Sequence, residues 1–120
     1  MSSSEMTMTI DVKWNRIRIH KKAIRAIGSP EKVLLLVNPE DKAIILTGTI
    51  KSDPEGHAPS MASIRHGRSF ELHSKPLVMR LKAFFPVLST DGVFQFRGNV
   101  IENENSVCFS AESVRNIRLE

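Results

Sequence analysis

The sequence predicts an α+β fold rich in strands, in which two tandem β-α-β-β units pack into one small barrel or sandwich. The main observation is an internal repeat. Residues 17–24 (IRIHKKAI) and 70–77 (FELHSKPL) both run apolar, charged, apolar, His, any residue, Lys, any residue, apolar. His20 and His73 are the repeated histidines, 53 positions apart. One such unit cannot cover its own apolar face, whereas two units can cover each other.

The chain divides into four predicted parts. Residues 1–9 are expected to be a flexible leader because they are mostly small and polar. Residues 10–50 form the first unit, and residues 69–120 form the second, which makes one compact domain with the first. Residues 51–68 are a linker, since their prolines and glycines discourage regular structure.

The first unit begins with a strand. Ile17 and Ile19 alternate with Arg16 and Arg18, which is the period of a half-buried strand with the arginines on its polar face. Three further elements follow by composition and spacing. They are a short helix over 23–27 that ends at Gly28, a buried strand over 33–37, and a second strand over 43–47.

The second unit repeats this order. Residues 70–73 alternate as a strand, and Ser74 is a good N-cap for a helix that ends at Pro86. Strands over 93–96 and 106–110 follow, and residues 111–117 fit either a short helix or an edge strand. All six phenylalanines lie at apolar-periodic positions and are predicted to be core: Phe70, Phe84, Phe85, Phe94, Phe96 and Phe109.

Catalysis has no signature in this chain. No two of the four histidines have the i, i+4 spacing of a helical zinc site, and no nucleotide-binding or hydrolase motif occurs. We therefore predict no enzyme, no catalytic residue, no metal and no cofactor. The chain has no apolar run near the ~20 residues of a membrane span, no apolar leader and a single cysteine, Cys108, which together predict a cytoplasmic protein without membrane contact.

Positive charge is concentrated near the start of the chain. Residues 10–37 hold seven Lys or Arg against two acidic residues, while the whole chain has a net charge of +4. Arg16 and Arg18 are about 6.6 Å apart on a strand, near the ~7 Å between phosphates on one DNA strand. A solvated polar face would explain the same charges. The predicted nucleic-acid-binding residues are Arg16, Arg18, His20, Lys21, Lys22 and Arg25.

His20 also has a second interpretation, as a residue with a structural role. A histidine at the corner between a strand and a helix often hydrogen-bonds the backbone there, and we favour that role for it.

Residues 16–28 (RIRIHKKAIRAIG), followed by a strand, a turn and a strand, resemble the AbrB/MraZ-type swapped-hairpin DNA-binding proteins. The chain departs from that family at His20, where the family has proline, and over 28–30. The resemblance implies an intertwined β-barrel of two β-α-β-β units and a role in bacterial transcription regulation. Its basic strand would correspond to Arg16, Arg18, Lys21, Lys22 and Arg25. The chain also resembles small uncharacterised proteins of clostridial genomes and their phages.

Two functional hypotheses follow. In the first, the chain is a transcriptional regulator that grips the phosphates of double-stranded DNA with its basic strand and helix corner. In the second, it is a small phage or mobile-element protein that binds, and inhibits, an enzyme acting on nucleic acid. The second hypothesis would place contacts on the linker and on the second unit, where Glu71 stands at the position of Arg18. Either hypothesis allows a protein partner and a homo-oligomer.

Overall fold

A computed structural model describes residues 6–50, 52–57, 69–89 and 92–117. All strand pairs are antiparallel and join in the order β3-β4-β7-β6-β1-β2-β5, with β8 beside β6. The sheet curls into a half-barrel, which confirms the β-rich α+β class. The strands are β1 Met6–Asp11, β2 Arg16–His20, β3 Lys32–Asn38, β4 Ala43–Thr49, β5 Ser69–His73, β6 Val93–Ile101, β7 Ser106–Ser110 and β8 Arg115–Asn116.

Two helices contribute to the apolar core of this sheet. Helix α1 (Lys21–Ala26) buries Ala23 and Ile24, and helix α2 (Lys75–Phe84) buries Leu77, Val78 and Leu81. A 3₁₀ turn, Pro86–Ser89, follows α2 and buries Leu88. Because strand side chains alternate between faces, the inner face is apolar while the outer face of β1, β2 and β5 is polar. This separation brings the predicted site residues of β2 to the outside.

Strand β1 corrects the predicted leader. Met6–Asp11 lies in the middle of the sheet, between β2 and β6, and Met8 and Ile10 are fully buried. The leader prediction was wrong for residues 6–9, because the threonines that make the segment look polar are the outward half of an alternating strand. Residues 1–5 of that prediction lie outside the described residues.

Local signals for the helix ends are confirmed. Helix α1 ends before Gly28, whose φ of +89° lies in the left-handed region that glycine adopts most easily. The Ser74 hydroxyl caps α2 by accepting the N–H of Leu77 at 3.3 Å. Phe84 was wrongly assigned to the core: its side chain is exposed at the end of α2, where the helix turns away from the sheet.

The predicted linker begins as ordered chain. His57 and Val33 exchange two backbone hydrogen bonds of 2.8 Å, so the segment 52–57 lies against the outer edge of β3. The Thr49 hydroxyl and the Glu55 N–H both donate to the Asp53 carboxylate, and these bonds lower the pKa of Asp53. Residues 51 and 58–68 lie outside the described part. Among the described helices, none is long and apolar enough to cross a membrane.

A substitution of Gly98 tests how closely β6 packs against the core side chains of β7. A Cβ at this position would lie 2.6 Å from Val107 Cγ1 and 2.7 Å from Phe109 Cε1, both in the buried core. We expect Gly98→Ala to lower the free energy of unfolding by about 1–3 kcal/mol, because the core must shift to admit the methyl group. Urea denaturation measures this effect. Asn99→Ala, at an exposed neighbour, is the control, and equal stability of both variants would contradict the packing described here.

Candidate nucleic-acid interface

The outer face of the half-barrel carries the strand arginines. The register sets Thr9 opposite Arg18 on one side of β2, and Glu71 opposite Arg18 on the other. One row further along, Asp11 lies opposite Arg16. Two arginines and two carboxylates are therefore neighbours on three adjacent strands.

Both arginines make ion pairs within the molecule. One Arg16 nitrogen lies 3.1 Å from Asp11 Oδ2, and its Nε lies 3.5 Å from Glu71 Oε2. Arg18 shares the same Glu71 oxygen at 3.3 Å. Arg16 and Arg18 lie on the polar face of β2 as predicted, but both are already paired with carboxylates of the same molecule. The physical reason is the pairing of β2 with both of its neighbours: β5 sets Glu71 against Arg18, and β1 sets Asp11 against Arg16.

Asp11 makes Arg16 a structural residue. The Asp11 side chain is 7% exposed, whereas the Arg16 side chain is 34% exposed. Asp11 Oδ1 is buried and has no hydrogen-bond partner among the described residues. Since a buried carboxylate is costly without a cation, Arg16 is held against the sheet and Arg18, with 47% of its side chain exposed, is the more accessible of the two.

The remaining predicted site residues lie on and beside α1. Lys21 is half-buried, while Lys22 and Arg25 are exposed, and the first turn of α1 contains no acidic residue. His20 is the N-cap: its Nδ1 accepts the N–H of Lys22 at 3.0 Å. The backbone role that we favoured for His20 is confirmed. Within the predicted set, Arg16 and Arg18 lie on β2, while Lys21, Lys22 and Arg25 lie on α1, which begins directly after the capping residue His20.

Two shallow hollows run along the same outer face. One is about 240 Å³ and is lined by Thr9, Asp11 and Val93 together with both strand arginines. The other, about 120 Å³, lies beside Arg18, between Thr7 and Ser69. Thr9 and Arg18 line both hollows, and their hydroxyl and guanidinium groups can donate hydrogen bonds to phosphate oxygens.

Sequence reasoning missed four charged residues of this face. Asp11 and Glu71 are the counter-charges described above. Arg97 lies opposite Thr7, and Arg115 donates to Gln95 at 3.3 Å, so the polar surface extends across β6 to β8. One signal for Glu71 was present: it occupies the repeat position of Arg18, and equivalent positions of two paired strands can meet at the centre of the pair.

Other potential chemistry is sparse in the described part of the chain. No group of three or more His, Cys, Asp or Glu residues there could hold a metal ion. Burial, with a contribution from the Asp41 carboxylate, raises the pKa of the Cys108 thiol, which keeps it protonated at neutral pH. Cys108 is half-buried, as expected from its alternating segment.

Comparison with protein-family models, curated proteins and solved structures found no match. The likeness to swapped-hairpin proteins stays a prediction from residues 16–28.

The Arg16–Asp11 pair can be tested by a double-mutant cycle. We expect Arg16→Gln to lower the free energy of unfolding by about 1–3 kcal/mol, less than for a fully buried pair because Arg16 is partly exposed. Asp11→Asn combined with Arg16→Gln should restore part of that loss, since no buried charge is then left alone. Urea denaturation of the single and double variants measures the coupling.

Arg18→Gln is the matched control for this cycle. Its ion pair with Glu71 is exposed, so we expect a change within about 0.5 kcal/mol. Strict additivity of the Asp11 and Arg16 substitutions would show that the pair does not support the fold.

Proposed function

We propose that the chain binds double-stranded DNA through a basic corner formed by Arg16, Arg18, Lys21, Lys22 and Arg25. The observation that carries the proposal is the charge balance there. Within the described residues, every ion pair involves Arg16 or Arg18, so Lys21 and Arg25 have no carboxylate partner. Leaving Lys22 out of the count, the four cations Arg16, Arg18, Lys21 and Arg25 face the two carboxylates of Asp11 and Glu71, which leaves the corner positive.

The cations have different tasks in this proposal. Lys22 and Arg25 are exposed and meet the phosphates first, since long flexible side chains on a helix can follow a DNA backbone. Arg18 is half-exposed and shares one carboxylate with Arg16, so it retains capacity for a phosphate or a guanine edge. Arg16 positions the neighbouring strand and contributes mainly through its long-range field.

We further propose that the units predicted over 10–50 and 69–120 are two copies of one β-α-β-β unit, whose corresponding elements span 16–49 and 69–110. The strand registers support it. In β2–β5, Arg16 pairs with His73 and His20 pairs with Ser69, as a two-fold axis through Arg18 and Glu71 requires. The β4–β7 pair is centred in the same way on Ile45 and Cys108. At the repeat offset the second copy keeps one of the five cations, Lys75 at the position of Lys22, and has Glu71 at that of Arg18, so we propose one DNA-binding corner.

A transcriptional role is the form of DNA binding that fits best with the resemblance to swapped-hairpin regulators. Regulation needs base contacts in addition to phosphate contacts. Arg18 and the outward Thr7 and Thr9 hydroxyls are the side chains beside the corner that have suitable donors.

Charge reversal on α1 tests the DNA proposal. We expect Lys22→Glu combined with Arg25→Glu to weaken binding to a fluorescein-labelled duplex strongly and to reduce the slope of log K against log salt by about 0.9 for each lost phosphate contact. Fluorescence anisotropy over a salt series measures both. Both residues are exposed, so the variant should fold normally.

Lys42→Glu is the control for that experiment. Lys42 is an exposed lysine in the turn between β3 and β4, away from the corner in the strand order. The double variant changes the net charge by four units and Lys42→Glu changes it by two, so a loss of binding free energy about half as large in Lys42→Glu would mean that binding responds only to net charge. Binding to a protein that survives nuclease treatment, with no retention on DNA, would instead favour the inhibitor hypothesis.

Glu71 provides a test with the opposite sign. We expect Glu71→Gln to strengthen DNA binding about threefold to tenfold, because Arg18 and Arg16 lose the carboxylate that competes with phosphate. The salt dependence should become steeper in the same variant. Unchanged affinity would show that the strand arginines do not contact DNA.

A further inference from the structure

The hydrogen bonds of Val33 show which β3 residues direct their backbone N–H and C=O groups toward the outer edge of the sheet. Val33 uses both its N–H and its C=O for His57, outside the sheet. Because successive residues of a strand direct these groups to opposite sides, Leu35 and Val37 also direct theirs outward, while Leu34 and Leu36 bond to β4. Among the described residues, nothing bonds the outward groups of Leu35 and Val37.

This open stretch of edge forms one wall of a cleft of about 300 Å³. The turn 54–57 closes one end, and the beginning of α2 supplies the facing wall with Pro76 and Leu77. Leu36, which lines the cleft, is 47% exposed and therefore offers apolar surface there. The cleft therefore combines free backbone groups with apolar side chains.

Charge indicates what fits there. Arg80 lines the cleft and is exposed, and Lys75 is exposed between the lining residues Ser74 and Pro76. Glu55 is the carboxylate among the lining residues. Burial lowers the pKa of His57 and the Lys32 ammonium lowers it further, so the imidazole is neutral at pH 7. Because Arg80 and Lys75 both lie on α2, the wall of the cleft formed by α2 is cationic.

We propose that an extended segment of another protein, with alternating apolar and acidic residues, docks on this edge as an additional strand. Its backbone would pair with the outward groups of Leu35 and Val37, continuing the pairing that His57 begins at Val33. Its apolar side chains would pack on Leu36, and a carboxylate would pair with Arg80. This site is separate from the basic corner and does not depend on DNA binding.

A single peptide suits this place better than a second copy of the chain. A second copy would have to bring its own β3, flanked by its own turn and α2 wall, to the bottom of the cleft. One extended strand brings no such walls.

The test uses a fluorescein-labelled peptide of alternating valine and glutamate, with a valine–lysine peptide as the charge control. We expect saturable binding of the acidic peptide only. Val37→Pro should weaken it by about tenfold or more, since proline removes the outward N–H of an edge strand while leaving the ladder to β4 intact. Arg80→Gln should weaken it about threefold to tenfold, and Lys82→Gln, outside the cleft on the same helix, should not.

If Val37→Pro fails to fold, amide hydrogen exchange on the unmodified protein tests the same backbone pairing without a substitution. We expect the Leu35 and Val37 amides to exchange fast in the free protein and to become protected when the acidic peptide is added, while Leu34 and Leu36 are protected throughout. Equal binding of the lysine peptide, no saturable binding, or no added protection at Leu35 and Val37 would overturn the proposal. So would dimerisation through Leu36. A saturating DNA duplex should leave peptide binding unchanged, which separates this outcome from that of the DNA experiments.

Discussion

The pairing of β2 with β5 connects the two halves of the chain and sets the charge of the outer face. Its register places Ile17 against Leu72 and Ile19 against Phe70 on the buried side, so a slip of β5 by one residue would turn Phe70 and Leu72 to solvent. The same register places Arg18 against Glu71. Core burial therefore determines an electrostatic contact on the opposite face of the sheet.

This coupling explains why the cations of the basic corner differ in how strongly they are paired with carboxylates. Arg16 is held between Asp11 and Glu71, Arg18 shares Glu71, and the α1 cations project beyond them. A polyanion gains little from an arginine that already has a carboxylate, because it must displace that partner. Under the DNA-binding proposal, Arg25 on α1 is therefore a better candidate for a phosphate contact than Arg16.

Strand order accounts for the second surface. Because β3 stands at one end of the path, none of the described strands lies along its outer edge, and among the described residues the turn 52–57 bonds that edge at Val33. Exposed edges usually carry charges or irregular turns that discourage pairing. The edge beyond Val33 instead adjoins leucine side chains and a cationic helix wall. A segment that sequence reasoning treated as a linker therefore forms one end of a cleft.

Local patterns in the sequence predicted the strand over 16–20, the Ser74 cap of α2 and the end of α1 at Gly28. They also showed the basic composition of residues 10–37. Each of these features depends on residues that are neighbours in the chain. The local patterns did not reveal β1, since Met8 and Ile10 become core only when β6 lies beside them. Nor did they reveal the neutralisation of Arg16 and Arg18. That depends on carboxylates from two other strands, and long-range register is decided by the packing of the whole apolar face, which only the tertiary structure contains.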